Sequence, residues 1–361
     1  MRRYIRPSTI ALFVFLIVMI GSCVTPEIGT QESELRTRDS VIVWPPPPLT
    51  PKVRYLRSIA GSADLGLKQS WFKKAIDTIF GKEGKEGVMV RPYGVFADFG
   101  RIYVTDPGAY LLHVFDTKEK KYSQIKKAGK EELISPIGVA VDKNGEIYLS
   151  DSILKRVFVF DREGKYIRDI GSPDIFLRPA GIAIDNERIY VVDTHGHRVS
   201  VFSKKDGLFL FSFGKNGTEQ GDFNYPTNIF IGNDKHLYIT DSMNFRIQIF
   251  DGDGNFLSAF GKLGDSSGNF SKPKGIDVDS DGHIYVADAH FDTVQIFDNT
   301  GRLLLSFGTT GRGKGEMILP AGVFIDGQDR IYVADSYNNR IQVFQYLKDK
   351  DSRGQGVEGP R

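Results

Sequence analysis

The chain has 361 residues, 40 % of them apolar and 25 % charged, with 39 Gly and 16 Pro, a composition that excludes a disordered, collagen-like or coiled-coil protein. Lys+Arg 47 against Asp+Glu 45 gives a formal charge of +2, too balanced for the sequence-wide basic field that neutralises phosphates, so no nucleic-acid partner is expected. The single cysteine, Cys23, excludes an intramolecular disulfide and any zinc module built from two to four thiolates.

At the N-terminus Arg2, Arg3 and Arg6 precede an unbroken apolar run from Ile10 to Ile20. A bilayer core takes about 20 apolar residues, so this run is too short to span comfortably and reads as the core of a signal peptide. The residues that close it, Ile20-Gly21-Ser22-Cys23, resemble the bacterial lipobox: a branched apolar residue, two small residues and a cysteine. The resemblance implies diacylglycerol on the Cys23 sulfur, cleavage before Cys23 and acylation, for example with palmitate, of the new amino terminus. An ordinary signal peptide with an incidental cysteine is the alternative. Residues 1–22 are therefore expected to leave, and with them three arginines, so 44 bases face 45 acids and the mature charge is about −1. The expected location is the bacterial cell envelope, with the protein held to a membrane by lipid on its periplasmic side or at the outer membrane.

Residues 23–50 end in Trp44-Pro45-Pro46-Pro47-Pro48, and consecutive prolines favour an extended polyproline II chain that cannot join a sheet ladder. This stretch is expected to act as a tether. Beyond it, Val53-Arg-Tyr-Leu-Arg-Ser-Ile-Ala-Gly61 has the pattern of a strand. In the insertion 62–90, Leu67, Trp71, Phe72, Ala75, Ile76, Ile79 and Phe80 fall at helical spacing, which predicts an amphipathic helix over about 66–81.

From about residue 90 the chain repeats. Tyr103, Tyr148, Tyr190, Tyr238, Tyr285 and Tyr332 each begin a Tyr-x-x-Asp motif, at spacings of 45, 42, 48, 47 and 47 residues. That period is the length of a propeller blade. Nine residues after each aspartate stands a phenylalanine, and each repeat opens on a Pro-x-Gly-like start. Four strands, a to d, are predicted per repeat, separated by turn residues such as Lys143-Asn144-Gly145 and Arg162-Glu163-Gly164. The last repeat lacks strand d, and residues 53–61 match that strand, so they are predicted to complete the sixth blade. The Asp-Ser-Tyr-Asn-Asn-Arg-Ile-Gln-Val-Phe run at 335–344, with relatives at 151–160, 193–202 and 241–250, resembles the NHL repeat family. The resemblance implies an all-β fold: a six-bladed propeller of four-stranded antiparallel blades, used mostly as an interaction platform and in a minority of related propellers as a metal-dependent lyase or lactonase. One monomeric propeller over 51–346 and a disordered tail over 347–361 are expected.

Four arginines stand five residues after the repeated aspartate, giving the pairs Asp151–Arg156, Asp193–Arg198, Asp241–Arg246 and Asp335–Arg340. A polar pair recurring once per blade reads as structural, pinning the loop between strands b and c. Repeats one and five break it with Leu111 and Thr293. The b–c and d–a loops emerge on one face, which carries His195, His197 and His290, with His113 at the start of a strand c. Asn228 replaces the usual glycine at the start of strand a in repeat four and is placed in the central channel. His195, His197, Asn228 and His290 are the candidate binding face. The histidines do not share one inward-facing position, and Asp277-x-Asp279-x-Asp281-Gly282, though calcium-like, falls in an a–b hairpin, so neither zinc nor calcium is assigned and no cofactor is expected. A non-catalytic, lipid-anchored scaffold for a protein or glycan in the envelope is the leading expectation. A lyase or lactonase with one metal in the channel is the alternative.

Overall fold

Strand b of every repeat is apolar at consecutive positions, so neither of its faces can meet water; standing each sheet between two others satisfies both faces. The computed structural model describes residues 41–67, 87–98 and 100–348. The signal at 1–22, Cys23, the tether up to residue 40, the expected helix beyond Leu67 and the tail from 349 lie outside the described residues. Six antiparallel sheets form the blades, over residues 95–125, 136–170, 179–213, 226–260, 273–307 and 320–346, the last completed from the N-terminus. Strands b such as Ile147–Asp151 and Ile284–Asp288 are buried at every position.

The core is divided among the seams between blades. Ile125, Val139, Leu149 and Phe160 pack together between blades 1 and 2, and Ile59, Val95, Val104 and Val343 do the same between blades 6 and 1. The phenylalanines that close strand c, Phe115, Phe160, Phe202, Phe250, Phe297 and Phe344, are at most 1 % exposed. Each contributes about 1.5–3 kcal/mol of burial to the seam it fills. The strand-b tyrosines keep a polar end beside the a–b hairpin: the hydroxyls of Tyr148, Tyr238 and Tyr285 donate to Glu146, Asp234 and Asp279 at 2.9, 2.8 and 3.0 Å. Burial and then the charge of Asp185 push the Tyr190 hydroxyl up to about 12.

Val53–Ile59 supplies the outer strand of blade 6, with Val53 opposite Tyr346 and Ile59 opposite Ile341. At the end of the stretch expected as a tether over 23–50, the structure departs from that expectation. Val43 and Trp44 add a fifth strand to this blade, opposite Arg54 and Val53. The reason is the indole, whose ring lies 5.9 Å from that of Phe307 and 5.7 Å from that of Phe344, closing an apolar edge between blades 5 and 6. The prolines that follow have no amide hydrogen to donate, so the ladder stops after two residues. In the insertion, Ser62–Leu65 forms one 3-10 turn, and Leu67 is buried in the seam between blades 6 and 1.

Candidate functional site

Each strand b ends in an aspartate with no exposed surface. Its carboxylate accepts the backbone amides of the loop leading into strand a. Asp106 takes those of Val90 and Arg91 at 2.6 and 2.9 Å, and Asp335 that of Ile318 at 2.8 Å. These bonds hold the d–a and b–c loops together as one face. Arg246 and Arg340 approach Asp241 and Asp335 at 2.8 Å, and Arg198 lies 3.7 Å from Asp193. Arg156 departs from the expected pair with Asp151. It bonds Glu131 at 3.1 Å and Asp169 at 3.0 Å. Glu131 belongs to a small d–a hairpin of blade 2, while Asp151 is already met by the amides of Ile134, Ser135, Ile153 and Leu154.

Blade 1, which has Leu111 in place of the arginine, uses His113 instead. Its Nε2 lies 3.2 Å from Asp106 and its Nδ1 2.9 Å from the Tyr122 hydroxyl. The same place in blades 4 and 6 holds Gln248 and Gln342, which donate to Asp241 and Asp335 at 3.1 and 3.0 Å. His113 thus serves the fold and lies buried. Burial pushes the Asp106 carboxyl up, but the bond to His113 and the two loop amides outweigh it and hold the group below its ordinary value. His113→Gln is expected to leave stability within about 1 kcal/mol of wild type, whereas His113→Leu, which strands the carboxylate, should cost about 1–3 kcal/mol in chemical denaturation.

The candidate face residues fall in two groups. His195 and His197 flank Tyr225, with ring centroids 5.6 and 4.6 Å away, and the Tyr225 amide donates to His197 Nδ1 at 3.2 Å. Arg178 Nη1 lies 3.4 Å from His195 Nε2; burial, and then the Arg178 charge, hold His195 below its ordinary value. His290 stands apart in blade 5, 3.3 Å from the Ser271 hydroxyl. Among the described residues no three His, Cys, Asp or Glu side chains come together as metal ligands. In the calcium-like run, Asp279 accepts from the amides of Asp281 and His283 and from the Tyr285 hydroxyl, and Asp277 from the amides of Val278 and Ile325. Those carboxylates are occupied by the chain itself.

Strands a of all six blades line a central cavity of about 150 Å³. Neighbouring strands approach so closely there that a Cβ at Gly138 would strike the Ala180 carbonyl oxygen, which is why strand a opens on glycine. Asn228 takes that place in blade 4, and its Oδ1 accepts the Ile229 amide at 2.9 Å. Strand a runs from the loop face toward the hairpins, so Tyr93, Thr227 and Lys274 line the cavity at the loop end and Phe96, Phe230 and Phe324 at the other. Phe96 and Phe324 pack with ring centroids 4.5 Å apart and planes tilted by 43°. Lys274 Nζ lies 5.5 Å from the centre of the Tyr93 ring, and burial, followed by the charge of Lys272, holds the ammonium below its ordinary value. Sequence reasoning did not single out Lys274 or Tyr93. The signal was available in the residue after each strand-a proline, which reads Tyr93, Ile137, Ala180, Thr227, Lys274 and Ala321.

Around the mouth, large apolar side chains point into solvent. Tyr110, Ile153, Leu177, Tyr225, Met243, Leu263 and Tyr337, all on b–c or d–a loops, are between 38 % and 63 % exposed. Loops from every blade thus contribute at least one exposed apolar side chain to this face.

Sheets standing round a channel, each with a strand b ending in a buried aspartate, define this chain as a six-bladed β-propeller. A family model described as a 6-bladed beta-propeller (DUF5128) matches residues 91–178, 130–194 and 233–292, and the NHL repeat model matches residues 318–344. Protein brain tumor of Drosophila melanogaster is 31 % identical over 142 residues, 37 % of this chain but only 14 % of that protein's length. Among solved structures, virginiamycin B lyase from Staphylococcus aureus aligns with a TM-score of 0.54 at 16 % identity, over 72 % of this chain and 96 % of its own. A gluconolactonase from Xanthomonas campestris aligns at 0.57 and 13 % identity, over 72 % and 87 % of the two chains. An auxiliary nutrient binding protein from Bacteroides ovatus aligns at 0.56 and 13 % identity, over 73 % and 71 %. At these identities the likeness is one of fold.

Proposed function

We propose that this propeller is an envelope lipoprotein, held to a membrane by acyl chains on Cys23, that binds a protein partner through its b–c/d–a face. The observation that carries the binding role is the exposed apolar rim, which runs over every blade on that face around a mouth bearing Arg91, Arg178 and Lys272. Apolar side chains with interspersed cations suit a protein surface that brings apolar contacts and carboxylates together. Two of the similar structures named above are enzymes and one is a binding protein, so the fold itself does not choose between those roles. The anchor rests on the lipobox-like Ile20-Gly21-Ser22-Cys23. Cells fed a labelled fatty acid should label the wild-type protein and carry it in the membrane fraction. Cys23→Ser should abolish the label, and label persisting in that variant would refute the anchor.

A further inference from the structure

Most of the arginines of the propeller described above are matched to carboxylates, on the loop face as at Arg246 and Arg340 and on the hairpin side. On the hairpin side Arg101 pairs with Asp116, Lys204 with Asp142 and Arg330 with Asp326, each at 2.7 Å. Four cations at the mouth of the channel are not matched in this way. Arg91 lies over the Tyr337 ring, Arg178 beside His195, Lys272 against the Met243 sulfur and Lys274 over the Tyr93 ring, and among the described residues none of the four bonds a carboxylate. The aspartates that end strand b lie beneath them, but those oxygens are occupied by loop amides. Lys274 is the one of the four that lines the cavity. A half-buried ammonium with only an aromatic face for company is costly unless something anionic joins it.

Below Lys274 the cavity changes character. Its walls are strand-a aliphatics such as Val139, Ile182 and Ile276, and Phe96, Phe230 and Phe324 line it toward the hairpins together with Asp277, whose two carboxyl oxygens are taken by the amides of Val278 and Ile325. A space of about 150 Å³ with such walls has room for a benzene-sized body. Near the mouth the Asn228 side-chain NH2 and the Tyr93 hydroxyl add neutral hydrogen-bonding groups to the single cation, while the Thr227 hydroxyl donates to the Lys274 backbone carbonyl at 3.0 Å. One cation with neutral partners matches a singly charged group better than a phosphate dianion.

We propose that the channel is a binding site for a small monocarboxylic acid with an apolar body, the body resting among the phenylalanines and the carboxylate paired with Lys274 at the mouth. The site is distinct from the outer apolar rim, so it stands or falls separately from the docking role.

The test is calorimetric titration of the full chain in detergent with benzoate, benzamide and inorganic phosphate, referenced to protein-free micelles. Benzoate should saturate one site, benzamide, which has the same body without the charge, should bind about tenfold more weakly, and phosphate should not saturate. Lys274→Met should lower benzoate affinity to the benzamide level while melting at or above the wild-type temperature, because it removes an unmatched cation. Phe230→Ala should weaken benzoate and benzamide alike. Equal binding of benzoate and benzamide to the wild type, unchanged benzoate affinity in Lys274→Met, tight binding of phosphate, or no saturable benzoate binding would each overturn the assignment. The wild-type comparison of benzoate with benzamide needs no variant and holds even where a substitution disturbs folding.

Discussion

Deleting residues 51–61 is expected to leave the protein unable to form a stable closed ring, read as loss of the cooperative thermal transition. The deleted strand is the outer edge of blade 6, paired along its length with residues 341–346. Val53 and Ile59 have no exposed surface, and Ile59 sits in the seam where the last blade meets the first. Without them Phe344 and the cluster around Met317 face water on one side. A propeller is a ring of interfaces, so an opened seam costs more than one strand's burial. The loss is set against a total stability of about 5–15 kcal/mol for an ordinary domain. A deletion variant that melts cooperatively near the wild-type temperature would contradict the closure.

Asp335→Ala should be the most damaging single substitution on the loop face, costing about 3–5 kcal/mol, because it removes one partner of a buried ion pair. Asp335 has no exposed surface, accepts the Ile318 amide at 2.8 Å, and is bonded by Arg340 at 2.8 Å and by Gln342 at 3.0 Å. Alanine takes an acceptor from the Ile318 amide, from Arg340, which keeps the carbonyls of Arg312, Gly313 and Glu316, and from Gln342, which keeps that of Glu316. Asp335→Asn, which keeps an acceptor oxygen but loses the charge, should fall between alanine and wild type in denaturant unfolding. Loss of stability equal in the two variants would point to packing instead of charge and hydrogen bonding.

The architecture was readable because it repeats. Tyr-x-x-Asp, the phenylalanine nine residues on and the Pro-x-Gly start recur in register, and each recurrence answers the same demand: a strand buried on both faces, a carboxylate to fix two loops, and close approach at the channel. The closing strand at 53–59 was readable for the same reason, as the outer strand missing from the last repeat. What escaped was whatever the repeat does not contain. Trp44 stands just before four prolines that argue for an extended chain, and only the apolar edge between blades 5 and 6 makes it a strand. His113 looked like one of a set of loop-face histidines until its register with Gln248 and Gln342 showed it to be a buried hydrogen-bonding partner. Arg156 obeys the spacing yet turns to Glu131 and Asp169, because nearby acids in a local hairpin and strand d are not part of the repeat. Lys274 is the one charged residue at a position that varies among the blades as Tyr93, Ile137, Ala180, Thr227 and Ala321, so it breaks no repeat rule, and its meaning depends on the channel around it.

The proposed binding role of the loop face is tested most directly by photo-cross-linking in cells. A photoreactive residue placed at Ile153 or Tyr225, on the exposed rim, is compared with one at Asn299 in a c–d turn at the hairpin end. The account predicts a discrete protein adduct from the two rim positions and none from Asn299. Adducts from Asn299 alone, equal adducts from all three positions, or a rim that captures no protein would contradict it.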